Sequence, residues 1–211
     1  MSTTTGRRVG RPRAKKRPDS GMATRDELLL AAAELFTTLG YAATTTRAVA
    51  ESAGMRQATM YHYFSGKEDL LAELLESTVT PSLTLAHRLL ADESRPAEAR
   101  LWELCRSDVE LLCGGSHNLG ALYLLPEVRG ERFEGFHRVR SDLKSAYGEL
   151  LSATEAGAEL EKDERVLRTD LVFGLIEGVI LVHRGDPDRP VTTFASATAD
   201  AALRIVGCVP A

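Results

Sequence analysis

An all-α fold is predicted for this chain from three observations. Apolar residues recur at helical spacing along most of its length, Ser/Thr–acid pairs and glycines mark helix starts and stops, and strand-like alternation is almost absent. With 211 residues, 44% hydrophobic and 27% charged, the chain is ordinary for a globular protein and can bury a core without metal or disulfide staples. Three parts are expected: a basic arm over residues 1–21, a helix-turn-helix head over 22–68, and a helical body over 69–211.

Residues 1–20 hold seven Lys/Arg and one Asp, a charge of +6, which leaves −10 on residues 21–211. The arm has no apolar periodicity and contains Pro12 and Pro18, so it is expected to be disordered. Such arms bind nucleic acid by neutralising phosphates and releasing counterions. Gly10-Arg11-Pro12-Arg13 resembles the core of an AT-hook, with Val9 where that motif usually has a basic residue, and makes Arg11 and Arg13 candidates for the minor groove. A solubilising tail is the plainer alternative.

The first helix is expected over about 25–39. Thr24 and Glu27 form a capping-box pattern, Leu28, Ala32, Leu35, Phe36 and Leu39 form one apolar stripe, and Gly40 supplies the stop. Thr45 can cap a second helix running to about Ser52. Ala50, Gly54 and Met60, a small residue, a turn glycine and a bulky apolar residue, then read as a helix-turn-helix, with Val49, Ala53 and Met55 also inward. The following helix, about Arg56 to Phe64, would present Arg56, Gln57, Thr59 and His62 outward. An α-helix of that kind fits the major groove of DNA. Ser65-Gly66-Lys67-Glu68 reads as another capping box, which places Lys67 at a helix N-terminus where a phosphate oxygen would be welcome.

Beyond residue 77 the pattern predicts helices over 97–113, about 118–128, 132–155, 163–184 and 191–207, with Pro126 able to kink or end one of them. The segment 163–184 is apolar on more than one side, and Gly174 with Gly178 permits close approach of another helix. Its most apolar stretch, Leu171 to Val182, is short and contains Glu177, so it does not read as a membrane span.

Within residues 24–76 the sequence resembles the DNA-binding domain of the TetR family of one-component regulators. The likeness is carried by Gly40-Tyr41, Thr44-Thr45, Val49-Ala50, Ala53-Gly54, Thr59-Met60-Tyr61, Tyr63-Phe64 and Lys67-Glu68-Asp69-Leu70. It implies that Thr45, Thr46 and Arg47 approach the DNA backbone, that Arg56, Gln57, Ala58 and Thr59 face bases, and that Tyr61, His62, Tyr63 and Lys67 hold phosphates. Two positions depart from the family pattern. Arg56 stands where a Ser-like cap is usual, and Ala48 replaces the acid that would complete a box with Thr45.

The resemblance also implies a homodimer built on the last two helices, with Leu171, Leu175, Ile176, Val179, Ile180, Phe194, Ala197, Ala201 and Ile205 at the interface. The operator should then be palindromic. Candidate residues for a small-molecule effector pocket are Trp102, Cys105, His117, Tyr123, Phe136, Tyr147 and Phe173. No cofactor is expected, no His/Cys cluster has metal-ligand spacing, and no catalytic constellation marks an enzyme. Three unpaired-looking cysteines, Cys105, Cys113 and Cys208, and the lack of an apolar leader favour a cytoplasmic protein. The leading reading is a transcriptional repressor released from its operator by an effector. An activator, or an architectural binder driven by the arm, is the alternative.

Overall fold

In the computed structural model, which describes residues 24–114 and 117–209, every regular element is helical. The arm, with Arg11 and Arg13, lies outside those residues. Helix α1 (Thr24–Thr38) is followed by α2 (Thr46–Ser52), α3 (Gln57–Met60) and the long α4 (Lys67–Ala91). Next come α5 (Ala97–Cys113) and three successive 3₁₀ turns, Leu119–Leu124, Pro126–Arg129 and Glu131–Phe133. The chain ends in α6 (Glu134–Ala153), the short α7 (Glu155–Ala158), α8 (Lys162–Gly185) and α9 (Val191–Val206).

The head helices form where local chemistry demands them. α1 buries Leu28, Ala31, Ala32, Ala33 and Phe36 on one face. Leu39, expected on that stripe, is 61% exposed, because the helix ends at Thr38 and the chain turns away through Gly40 at φ +89°. The capping box expected at Ser65–Glu68 is displaced by one residue. Gly66 is the N-cap of α4, and Asp69 rather than Glu68 accepts from the Ser65 hydroxyl and, at 2.9 Å, from the Ser65 backbone N–H. α4 runs straight through Pro81, which removes one backbone donor. The helix persists because Thr78, Val79, Ser82 and Ala86 remain buried on either side.

Between α5 and α6 the prediction of a helix over 118–128 is corrected to tight 3₁₀ turns. Pro126 has no N–H to donate and holds Leu125 extended (φ −69°, ψ 133°). At Gly120 a side chain would stand 2.7 Å from Ile180 Cγ1, so the turn lies directly against α8.

Two apolar clusters result. One joins α5, α6, α8 and α9 through residues such as Leu101, Leu104, Tyr147, Leu150, Ile176 and Ala199. The other begins in the head with Leu28, Phe36, Val49, Met60 and Phe64 and continues without a break into Leu70, Leu71, Leu122, Val128, Phe133 and Phe136. The first two 3₁₀ turns and Phe133 thus complete the core of the head. Among the described residues, no helix is long and apolar enough to cross a membrane.

Candidate nucleic-acid interface and effector cavity

The α2–α3 unit is set by a short list of contacts. Thr45 caps α2, its hydroxyl oxygen accepting from the Ala48 N–H at 3.1 Å. The tight turn that follows uses Gly54 at φ +74°, and the Met55 N–H reaches back to the Ala50 carbonyl at 2.8 Å. Val49, Ala50, Ala53 and Met60 are buried against α1 and α4, which fixes the pair as one body. α3 is shorter than the sequence suggests. Its α-helical part covers Gln57–Met60, after which His62 and Tyr63 donate to carbonyls three residues back, a tighter winding that carries the chain to buried Phe64.

Outward from this body stand Thr45, Arg47, Arg56, Ala58, Tyr61, His62 and Tyr63, all exposed. Arg56 is the N-cap of α3 but makes no capping bond through its side chain. The guanidinium of Arg47 is held by Glu51 at 2.8 Å, one helical turn away. Thr46, Gln57 and Tyr61 form a polar knot joining α2 to α3: Gln57 Nε2 donates to Thr46 Oγ1 at 2.9 Å, and Thr46 Oγ1 meets the Tyr61 hydroxyl at 3.2 Å. Thr59 is half-buried.

Lys67 has a task that the sequence does not reveal. Its ammonium turns inward, donating to the carbonyls of Tyr41 at 3.0 Å and Thr44 at 3.3 Å, and sits 4.3 Å from the centre of the Tyr41 ring. It thereby ties the loop after α1 to the start of α4. Arg132, from the third 3₁₀ turn, pairs with Asp69 on α4, and Arg25 on α1 pairs with Glu73.

The seven pocket candidates do not share one cavity. Tyr123 and Phe136, in edge contact with ring centres 5.0 Å apart, line a cavity of about 260 Å³ together with Val128, Arg140, Glu177 and Ile180. Cys105 and Tyr147 are fully buried and Phe173 nearly so, beside this cavity rather than lining it. Trp102 belongs to a separate groove of about 610 Å³ between α5 and α9, where its indole N–H donates to Asp200 at 2.8 Å. His117 is half-buried and lines neither space.

Around the smaller cavity the structure assembles polar groups that the candidate set omitted. Arg140 on α6 holds Glu177 on α8 through two parallel hydrogen bonds, and its guanidinium lies 5.1 Å from the centre of the Phe173 ring. Deeper in, the Asp108 carboxylate of α5 accepts from Ser82 at 2.8 Å and from Tyr147 at 3.0 Å. Burial pushes its pKa up to about 6, the two hydrogen bonds oppose that rise, and the nearby Glu177 charge adds to it. Burial also lifts the thiol of Cys105 far above the ordinary range, so it remains protonated and unreactive. A charged residue inside the apolar run of α8 was the one available sequence signal, and it pointed to Glu177. No group of three His, Cys, Asp or Glu among the described residues is placed to hold a metal ion.

The interface candidates separate by burial. Ile176, Val179 and Ile180 are 1–3% exposed and face the chain's own core, because α8 carries two apolar faces and α5, α6 and α9 occupy one. The other face is a stripe of Leu167, Leu171, Gly174, Gly178 and Leu181, whose leucines are each more than half exposed. Leu175, Phe194, Ala197, Ala201 and Ile205 are half-buried or exposed on α8 and α9.

Comparison with known proteins agrees with this architecture. Residues 28–74 match the model of bacterial regulatory proteins of the tetR family. The chain is 43% identical to the HTH-type transcriptional repressor KstR2 of Mycolicibacterium smegmatis over 58 residues, 28% of each chain. With KstR2 of Rhodococcus jostii it shares 30% identity over 132 residues, 61% of this chain and 64% of that one. Each match thus spans less than two thirds of the relative. Among solved structures, AmtR of Mycobacterium smegmatis is 43% identical and superposes with a TM-score of 0.81, covering 93% of this chain and 92% of AmtR. FadR of Bacillus subtilis, solved with stearoyl-CoA, has a TM-score of 0.68 at 19% identity and is similar in fold alone.

Proposed function

Because the chain belongs to the TetR family of bacterial regulatory proteins, we propose that it is a homodimeric transcriptional repressor that reads a palindromic operator and is released by a small molecule. The reading head is residues 22–68 and the sensing body residues 69–211. The observation that carries this reading is the exposed α2–α3 edge, rigidly backed by the buried Val49, Ala50 and Met60. On it, Arg56 is the base-reading cation, able to engage a guanine through O6 and N7, while Gln57, Ala58 and Thr59 meet neighbouring bases. Thr45, Thr46, Arg47, Tyr61, His62 and Tyr63 position the backbone. Lys67 acts chiefly by bracing the head, since its ammonium already serves the carbonyls of Tyr41, Ala42 and Thr44.

The exposed stripe of α8, with the outer face of α9, pairs two protomers. A twofold axis then directs the two α3 segments to major grooves about 34 Å apart. Effector binding in the body favours a conformation in which that spacing is lost, and a differential of about 1–3 kcal/mol gives roughly 5–150-fold release. No catalytic step is assigned. Selection of bound duplexes from a random pool tests the proposal. A palindrome should be recovered, and binding of random duplex as tight as binding of the selected sequence at physiological salt would refute it.

A further inference from the structure

Taking the effector-released repressor as the frame, we propose that the cavity beside the Arg140–Glu177 pair binds a small zwitterion with an apolar side chain, its carboxylate on Arg140 and its ammonium on Glu177.

The floor of the cavity sets the side chain. Tyr123, Val128, Phe136 and Ile180 are apolar or aromatic there, and the whole space is about 260 Å³, suited to a compact molecule rather than a long acyl chain. The rim carries His137, whose Nε2 meets the Val128 carbonyl at 2.7 Å. A carbonyl only accepts, so that nitrogen bears the proton.

Charge balance sets the head group. Arg140 presents Nε and Nη2 to the two Glu177 oxygens, and among the described residues no protein acceptor meets its Nη1. Both side chains are about two-thirds or more withdrawn from solvent. A ligand that is only an anion takes Arg140 and strands Glu177, whose charge already acts on buried Asp108. A ligand that is only a cation strands Arg140. A molecule bearing both charges exchanges one internal pair for two ligand pairs and leaves no half-buried charge uncompensated. An α-amino acid with a neutral apolar side chain has this chemistry.

The position also explains how occupancy would be felt at the head. The pair joins α6 to α8, so a ligand inserted there replaces a direct link between those helices with a bridged one. Tyr123 in the cavity wall bonds the Thr78 hydroxyl on α4, and the 3₁₀ turn that carries Tyr123 packs on α1, α4 and α8. The first two of these belong to the core of the head.

The test is calorimetric titration of the full chain near neutral pH with valine, leucine, methionine and phenylalanine, beside 3-phenylpropanoate and 2-phenylethylamine, each up to about 10 mM. At least one amino acid should bind, and the two singly charged analogues should bind at least about tenfold more weakly than phenylalanine. Glu177→Gln frees Arg140 and should shift preference toward 3-phenylpropanoate, whereas Arg140→Gln should shift it toward 2-phenylethylamine. A merely structural pair would lose all ligands together in both variants, and that result overturns the proposal. So does the absence of binding by every amino acid, or an analogue that binds wild type as tightly as phenylalanine. Operator binding measured on the same samples separates the two levels: a protein that holds its palindrome but ignores these probes remains a repressor with a different effector.

Discussion

Replacing Asp108 with Asn isolates the energetic effect of one buried charge. The carboxylate is 3% exposed and is met by two donors, Ser82 and Tyr147. Its pKa is raised from the ordinary 3.8 to about 6. A carboxyl whose folded pKa lies above its unfolded value contributes stability that is fully present below the unfolded pKa and is lost as pH rises through the folded one. Above pH 6 the ionised form therefore weakens the fold by roughly 3 kcal/mol relative to a neutral group in the same place. Asn removes this cost and can still accept from Tyr147, while its Nδ2 must donate where Ser82 formerly donated, at a loss of about 1 kcal/mol if the serine hydroxyl adjusts incompletely. The expected net gain near pH 8 is about 2 kcal/mol, or roughly 4–8 °C in Tm for a chain of this size. Between pH 5 and pH 8 the advantage of the variant should grow by between about 1 and 2 kcal/mol. Thermal melts of both proteins across that range, at one fixed protomer concentration, supply the measurement. A variant destabilised by the same amount at both pH values would show that Asp108 is held neutral, or that its hydrogen bonds outweigh its charge, and the reasoning would fail.

Three further outcomes are expected. Thr45→Ala removes the acceptor for the Ala48 N–H and should cost about 0.5–2 kcal/mol in denaturant unfolding, with weaker operator binding. Arg56→Ala should leave stability within about 0.5 kcal/mol but cost about 1–3 kcal/mol of operator affinity, with specificity relaxed at one base position in a binding-site selection. Leu171→Glu places a charge on the exposed stripe of α8, so sedimentation should show monomers with an intact circular-dichroism spectrum, and cooperative binding to two half-sites should disappear.

What could be read directly from the sequence was local. Thr45 caps α2 and Gly54 makes the turn because both roles depend on the immediate backbone. The helical nature of the body followed from spacing, except where Pro126 and the contact of Gly120 with Ile180 impose 3₁₀ turns instead. Features made by distant segments were hidden. Arg140 and Glu177 are 37 positions apart, and Asp108 finds its donors on two other helices. The inward turn of Lys67 depends on a loop more than twenty residues earlier. On α8 both apolar faces are visible in sequence, but only the packing of α5, α6 and α9 decides that Ile176, Val179 and Ile180 are internal.

The continuity of the core across the two halves bears on how the molecule can be dissected. Leu122, Val128, Phe133 and Phe136 roof the same cluster that holds Leu28, Phe36 and Met60. Cutting the chain after residue 68 would strip that roof and leave an oily basin open to water, a surface prone to clumping. Excised reading modules should thus be insoluble or only loosely ordered, and calorimetry of the intact molecule should record a single cooperative melting peak rather than two independent ones.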